Sequence, residues 1–280
     1  MSPANSALSA AGTAAPPGRP RHRGLAVPSG VLGVLGIVGF LATWELVVRS
    51  GLVEPRYLPA ASSVLGELAS LAATGSFWEW VGLTLRTWAV GLAVAGVAAI
   101  VLGLVIGSSR FLRQATHSTI EFLRPIPSVA LIPLAVLLYG TSMQATLLLV
   151  VYAAFWQVLI QVLYGAGDVD PVADDTARSY GLGWTARVRY LVWPSALPYV
   201  MTGLRLGAAV ALILTVTGEL VIGGGGLGTQ IALAQGVAVT EMYALVVATG
   251  LIGVAINLLA RAVEKRALRW HVSVRREAVA

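Results

Sequence analysis

Residues 126–167 of the chain read IPSVALIPLAVLLYGTSMQATLLLVVYAAFWQVLIQVLYGAG and contain no Asp, Glu, Lys or Arg. A helix crosses the hydrocarbon core of a bilayer, about 30 Å thick, with roughly 20 apolar residues. The run is about twice that length, so it predicts two membrane-spanning helices. The Gly-Thr-Ser segment at 140–142 supplies the turn between them. Proline predicts a break or kink in the first of the two, at Pro125, Pro127 and Pro133.

Four more apolar stretches, two before this run and two after it, have the length of a membrane span. With the two halves of the run they predict six transmembrane helices, at about 31–48, 81–107, 126–140, 142–167, 199–222 and 243–260. The composition agrees, since 57% of the 280 residues are hydrophobic and only 11% are charged, against about 25% in a soluble domain. A soluble globular protein and a largely disordered chain are excluded, which leaves an all-α integral membrane protein.

The sequence holds little that could perform catalysis. There is no cysteine, and the three histidines lie far apart without an H-E-x-x-H pair. Lys265 is the only lysine and follows Glu264 rather than a glycine, so a Walker A phosphate loop is missing. No G-x-S-x-G nucleophile elbow occurs either. We therefore expect no catalytic residue, no metal site and no cofactor.

The arginines indicate how the chain is oriented. With six spans both termini share a side, and that side holds fifteen of the nineteen basic residues. The other side holds Arg49 and Arg56, while Arg86 and Arg205 fall inside spans. Cytoplasmic loops are enriched in Lys and Arg, so both termini are expected in the cytoplasm of a multi-pass inner-membrane protein. The net charge of +6 is then an orientation signal, and no nucleic-acid partner is expected.

Composition also divides the chain into three parts. Residues 1–30 are rich in Ala, Pro, Ser and Gly and predict a disordered cytoplasmic tail, with no A-x-A cleavage site in reach. Residues 31–262 form the predicted transmembrane domain, and 263–280 a basic cytoplasmic C-terminal tail. On the outer side, apolar positions between 62 and 71 recur at helical spacing, which predicts a short amphipathic helix on the membrane surface.

The largest internal loop, residues 166–197, has the pattern of two short helices. Pro171 can begin a helix, because its missing N–H costs nothing in a first turn. The glycines of the segment 181–183 permit a sharp turn. A second short helix is expected to run from Trp184 and to stop before Pro194. The pattern predicts a compact protrusion with aromatic and apolar side chains available to a partner.

This loop resembles the EAA motif in the permease subunits of ABC importers. The family pattern is E-A-A, three residues, Gly, nine residues and I-x-L-P. Here Asp175-Thr176-Ala177, Gly181 and the LVWP segment at 191–194 match that spacing, with Asp for Glu, Thr for Ala, Leu for Ile and Trp for Leu. Other stretches are similar to the nitrate, sulfonate and taurine group: LP at 58–59, SSVL at 62–65, LRPIPSVALIPLAVLLYG from Leu123, VDP from Val169, LPYVMTGLR from Leu197 and GLG from Gly226.

The resemblance implies an ABC importer type I permease fold and a set of partners. A homodimer would form the pathway for a small anion such as a sulfonate, taurine or nitrate. Two copies of a separate ABC ATPase would hydrolyse ATP, and an extracytoplasmic binding protein would deliver the substrate. The expected ATPase-coupling residues are Asp175, Thr176, Ala177, Arg178, Gly181, Leu182, Gly183 and Pro194.

Polar residues inside the predicted spans are candidates for the pathway. Charged side chains in a bilayer are costly, so Glu219 is expected at the pathway or dimer seam, or else at the outer boundary. The resemblance places the Gly226-Leu227-Gly228 segment at an outer gate, where a plain turn is the alternative. Four amides could line a polar route, although interhelical hydrogen bonds are the stronger expectation for them: Gln144, Gln157, Gln161 and Asn257.

Three alternatives remain open from the sequence. An ion-gradient-driven secondary transporter would need ionisable residues near mid-membrane and usually an internal repeat, and neither is clear. A membrane scaffold or enzyme subunit would not need the EAA spacing. The same type of permease could also carry a vitamin precursor in place of a sulfonate.

Overall fold

The structure is a computed structural model that describes residues 29–269. The expected N-terminal tail therefore lies outside the described residues except for its last two, which begin the first helix. The part of the C-terminal tail from 270 onward also lies outside them. The chain separates into two compact units between Trp44 and Glu45, and each is described by itself.

Helices account for nearly all of the described chain. Their bounds are α1 Ser29–Arg49, α2 Ala61–Ala72, α3 Gly75–Gly107, α4 Arg110–Leu123, α5 Ile132–Tyr139, α6 Met143–Gly167, α7 Pro171–Ser179, α8 Trp184–Arg187, α9 Trp193–Ile222, α10 Leu227–Ala234 and α11 Val239–Ala267. A 3₁₀ turn, Ser128–Leu131, precedes α5, and a π-helical segment, Val188–Val192, joins α8 to α9. Among residues 29–269, five helical stretches are long and apolar enough to span a membrane, and six if α4 and α5 together count as one bent span.

Helices α3 and α6 run parallel and in close contact. A side chain on Gly91 would meet Val150, and one on Gly103 would meet Val162, so positions increase together along both helices. Glycine lets the two backbones approach, because a Cβ on Gly91 would lie 2.5 Å from Cγ1 of Val150. Two parallel helices require the intervening chain to return across the membrane.

The chain between α3 and α6 contains α4 and α5, which are bent by 78° at their junction. The prolines at 125 and 127 lie in that junction and cannot donate backbone hydrogen bonds. The carbonyl of Leu123 accepts a hydrogen bond of 3.2 Å from the N–H of Ile126 and one of 2.6 Å from the hydroxyl of Tyr152. The predicted break in this span is confirmed. The regular helix expected over 126–140 is shorter in the structure, because α5 begins only at Ile132.

Helix α9 runs antiparallel to α6, with Gly203 beside Gln161 and Gly218 beside Thr146. Helix α11 runs antiparallel to α9, and Arg205 pairs with Glu264 at 3.0 Å. From these three pairings, the C-terminal ends of α3, α6 and α11 lie at the same end of the bundle, together with the α7–α8 loop. We call this the basic end, since most of the arginines among residues 29–269 lie there, and we call the other the opposite end.

One expectation about the loop is wrong. The helix that begins at Trp184 does not stop before Pro194 but continues to Ile222 as a single stretch of 39 residues. The π-helical segment lies just before Pro194, and residues 192 and 193 keep right-handed helical dihedrals. A π turn shifts the hydrogen-bond register, and a proline in the first turn after it lacks only an N–H that has no α-helical partner.

Helix α2 lies at the opposite end and confirms the predicted amphipathic helix. Its Val64 is fully buried, whereas Leu65 is exposed. The carboxylate of Glu45 accepts hydrogen bonds from the backbone N–H of Ser62 at 3.0 Å and from its hydroxyl at 2.8 Å. A carboxylate at a helix N-terminus satisfies free N–H groups there and complements the helix dipole.

Candidate functional site

The loop at the basic end is a compact pair of helices. The side chain of Asp170 accepts a hydrogen bond from the N–H of Val172 at 2.8 Å and so caps α7, with Pro171 in the first turn. After α7 the chain turns at Gly181, whose φ of +72° favours glycine. The N–H of Leu182 then donates to the carbonyl of Ala177 at 3.0 Å. These local bonds fix the turn between the two helices.

Asp174 joins α7 to α8. It accepts a hydrogen bond from Arg178 at 2.7 Å and another from Nε of Arg187 at 3.0 Å. Burial opposes the charged form of Asp174, but the hydrogen bonds and charges of Arg187 and Arg178 outweigh it and hold the pKa of Asp174 below its usual range. The two helices are therefore linked by a charged pair as well as by the turn.

Trp184 ties the loop to the membrane-spanning part of the chain. Its indole Nε1 donates to the hydroxyl of Ser108, just after α3, at 3.0 Å. Nearby, the hydroxyl of Tyr199 donates to Asp168 at 2.8 Å, which connects the end of α6 to α9. The loop is thus attached to three spanning helices.

The residues expected to contact an ATPase lie together on this loop. Asp175 and Thr176 are exposed, and within residues 29–269 the Asp175 carboxylate has no hydrogen-bonding or ion-pair partner. Arg178 pairs with Asp174, and Pro194 lies within the continuous helix. Several apolar or aromatic side chains of the loop are exposed, among them Val172, Tyr180, Leu182, Trp184 and Tyr190. Such a patch beside arginines suits a protein partner.

Glu219 lies far from the loop, near the opposite end, and is 3% exposed. Its Oε2 accepts a hydrogen bond from the hydroxyl of Thr84 at 2.8 Å and one from the N–H of Gly228 at 3.0 Å. The Thr84 hydroxyl in turn accepts from the N–H of Leu227 at 2.9 Å. The first two N–H groups of α10 are thereby satisfied by side chains of α9 and α3.

Four consecutive glycines lead into α10, and all have positive φ, from +89° to +97°. At Gly226 the requirement is also steric, because a Cβ there would overlap the carboxyl group of Glu219. At Gly228 a Cβ would lie 2.7 Å from the Cβ of Glu219. The hydroxyl of Thr229 donates to the carbonyls of Glu219 and Gly225, both at 3.0 Å. The predicted gate residues therefore form one packed joint.

A cavity of about 1130 Å³ opens at the basic end between α3, α4, α6 and α9. Its walls combine apolar side chains such as Ile120 and Ile160 with basic and acidic ones: Arg113, His117, Glu121, Arg124 and Asp168. Among the described residues no group of three or more Asp, Glu or His side chains could hold a metal ion.

The four polar side chains of the spans form no hydrogen bonds of the kind that was expected for them. Gln144, Gln157 and Asn257 are exposed and Gln161 is half-buried. Within the described part of the chain, no side-chain hydrogen bond joins any of them to another residue. The interhelical bonds favoured from sequence are therefore not formed among residues 29–269.

Sequence reasoning missed four residues that build these sites: Asp174, Arg187, Ser108 and Thr84. Asp174 could have been found from its helical spacing to Arg178, since charges four residues apart face each other on a helix. No local signal marks Thr84 or Ser108, because their partners are distant in sequence.

Comparison with known proteins places this architecture among transport proteins. The family model of the binding-protein-dependent transport system inner membrane component matches residues 99–269. The taurine transport system permease protein TauC of Escherichia coli is 29% identical over 261 residues, which cover 91% of this chain and 93% of TauC. The putative aliphatic sulfonates transport permease SsuC of the same organism is 27% identical and covers 84% of this chain and 89% of SsuC.

Two further proteins resemble the chain. The nitrate import permease NrtB of Synechocystis is 27% identical over 240 residues, or 82% of this chain and 86% of NrtB. An inward-facing structure of the MetNI methionine ABC transporter superposes with a TM-score of 0.58 at 18% identity, over 68% of this chain and 94% of that chain. At that identity the structural likeness supports the fold alone.

Proposed function

The chain belongs to the family of binding-protein-dependent transport system inner membrane components, and from that premise we propose that it carries small oxyanions across the inner membrane. It is a permease subunit of an ABC importer and not an enzyme. A permease of this kind works with an ATPase and a substrate-binding protein. The family match also removes the grounds for an ion-gradient-driven carrier.

The substrate class rests on the relatives. They are named for taurine, aliphatic sulfonates and nitrate, and each of these carries a planar or tetrahedral group of negatively charged oxygens. We assign a sulfonate, taurine or nitrate to this chain on that shared chemistry.

The basic end is assigned to the cytoplasm, which puts both termini there. The support comes from the sequence, where six predicted spans leave fifteen basic residues on the side of the two termini and two on the other. The binding protein would then approach the opposite end. Two copies of this chain would enclose the pathway, with one ATPase subunit beneath each.

The α7–α8 loop is proposed as the contact with the ATPase. The observation that carries this is its construction. Asp174 holds α7 to α8, Trp184 holds the loop to Ser108, and the side chain of Tyr180 is left 80% exposed. A rigid protrusion with an exposed aromatic side chain can transmit the movement of a bound partner to the spanning helices, whereas a flexible connector cannot. The residues Asp175 to Arg178 and Gly181 to Gly183 are the proposed contact, with Pro194 in the helix that follows.

At the opposite end we assign Glu219, Gly226, Leu227 and Gly228 to the outer gate. The joint they form with Thr84 lies where α9 ends and α10 begins. This joint connects the spanning helices α3 and α9 to the short helix α10. It is therefore suited to open or close the pathway as α3 and α9 move.

The experiment is reconstitution of the permease with its ATPase and binding protein in proteoliposomes. We expect ATP-driven uptake of taurine or an alkyl sulfonate, and loss of both ATPase binding and uptake in Leu182→Arg. Leu52→Arg, at an exposed apolar position of the opposite end, is the matched control and should retain ATPase binding. If the ATPase still binds Leu182→Arg and uptake continues, the loop is not the contact.

A further inference from the structure

Gln157 occupies an unusual place on α6. Helix α6 runs from Met143 to Gly167, so Gln157 lies close to its middle. Every residue from 145 to 163 except Gln157 is buried or half-buried against the other helices. The single exposed side chain in the centre of this otherwise enclosed helix is therefore a polar amide.

An amide at this depth is costly if it faces lipid. Moving an amide from water to a medium that cannot form hydrogen bonds carries a large free-energy cost. Within residues 29–269, no side chain or backbone group is hydrogen-bonded to the Gln157 amide. The face of α6 that carries Gln157 must therefore meet water, a ligand or another polar surface, and not hydrocarbon chains.

The same face of α6 leads into the cavity at the basic end. Ile160 and Tyr164 follow Gln157 at helical spacings of three and seven and both line that cavity. Gln161 lies between them and contacts the Gly203 region of α9. Gln157 therefore lies about one helical turn beyond Ile160 of the cavity wall, on the face of α6 that enters the cavity.

We propose that the Gln157 amide binds the oxyanion during its passage through the membrane, with the cavity as the route to the basic end. The inference rests on the function proposed above and adds to it the group that contacts the substrate. A glutamine NH₂ offers two donors to sulfonate or nitrate oxygens. Because the amide is neutral, it binds the anion weakly enough for release, as conduction requires.

The chain lacks cysteine, so a single introduced thiol can report what Gln157 faces. The test compares Gln157→Cys with Val97→Cys in proteoliposomes, using a methanethiosulfonate reagent that carries a sulfonate group. Val97 lies on α3 midway between Gly91 and Gly103, and so at the level midway between their partners Val150 and Val162 on α6. It is 65% exposed and apolar, which makes it the lipid-facing control at equal depth.

We expect the reagent to modify Gln157→Cys and to block uptake, excess taurine to slow the modification, and Val97→Cys to remain unmodified. Uptake by Gln157→Leu should fall roughly tenfold with binding-protein affinity unchanged, since a hydrogen bond to a charged group contributes about that factor.

Two results would overturn the inference. One is a Gln157→Cys thiol that resists the reagent. The other is a Gln157→Cys thiol whose modification excess taurine does not slow and which leaves uptake unchanged, since that residue would then lie outside the substrate route. If the cysteine-free chain with its partners takes up no sulfonate, the proposed function fails and this inference with it. If uptake is normal and the thiol resists, only this inference fails.

Discussion

The carboxylate of Glu219 accepts a hydrogen bond of 2.8 Å from the hydroxyl of Thr84, across 135 positions of sequence. The same hydroxyl accepts from the N–H of Leu227, and the same carboxylate from that of Gly228. Helices α3, α9 and α10 therefore meet at two polar side chains, both buried.

The first prediction concerns what Glu219 supplies to this joint. Both donors reach one oxygen, Oε2, which the side-chain carbonyl of glutamine can replace. Glu219→Gln should change the free energy of unfolding by less than about 1 kcal/mol, and Glu219→Ala should lower it by about 1–3 kcal/mol, because buried donors lose their acceptor. Thermal unfolding of the purified permease, followed by tryptophan fluorescence, measures both.

Thr84 provides the matched pair for this prediction. Thr84→Ser keeps the hydroxyl and should behave like the unmodified chain, whereas Thr84→Val should resemble Glu219→Ala. If Glu219→Gln unfolds as easily as Glu219→Ala, the negative charge rather than the acceptor is what the joint needs.

The second prediction separates backbone strain from steric contact in the glycine segment. Gly223 and Gly226 have similar φ, +91° and +89°, but a Cβ has open space only at Gly223. Gly223→Ala should cost about 1–3 kcal/mol from strain alone, and Gly226→Ala a further 1–3 kcal/mol, roughly, from overlap with the Glu219 carboxyl. The melting temperatures of the two variants compare these costs. The double variant Gly226→Ala with Glu219→Ala should lose less unfolding free energy than the sum of the losses in the two single variants. Strict additivity would show that the two residues are not in contact.

The third prediction distinguishes the two adjacent aspartates of the loop. Asp174→Ala frees Arg178 and Arg187, while Asp175→Ala removes a carboxylate that has no partner among the described residues. Trypsin cleaves after these arginines, so the rate of limited proteolysis reports loop opening. Loss of about 1 kcal/mol of ion-pair stabilisation should make Asp174→Ala cut roughly fivefold faster. Equal rates for the two variants would mean that Asp174 does not hold the loop.

The pH dependence of that difference follows from the lowered pKa of Asp174. Because the pKa of Asp174 is lower in the folded loop, its carboxylate stabilises the loop fully at pH values above the ordinary pKa of 3.8. That stabilisation is lost as the pH falls through the lower pKa of the folded loop. The gap between Asp174→Ala and the unmodified chain should therefore be constant from about pH 5 to 8. A gap that shrinks between pH 8 and 6 would require another titrating group.

Hydropathy predicted the spans because membrane thickness imposes their length, and arginine placement separated the two ends of the bundle. Neither signal could predict that Thr84 contacts Glu219, since a helical period identifies a buried face but not its partner. The motif alignment selected Asp175, whereas the rotation of 100° per residue along α7 turns Asp174 toward Arg187. Proline at 194 predicted a helix end. The helix continues because, after the π-helical segment, the N–H that proline lacks would have no α-helical partner.

The continuous helix from Trp184 to Ile222 also sets a mechanical scale. At 1.5 Å per residue, its 39 residues extend about 58 Å, beyond the full thickness of about 40–45 Å of a bilayer with its headgroups. One continuous helix therefore begins in the α7–α8 loop and ends within three residues of Glu219. A tilt of about 10° about its lower end would displace the upper end by about 10 Å, several times the length of the hydrogen bonds that hold α10. The π-helical segment and Pro198 are the points at which we expect this helix to bend.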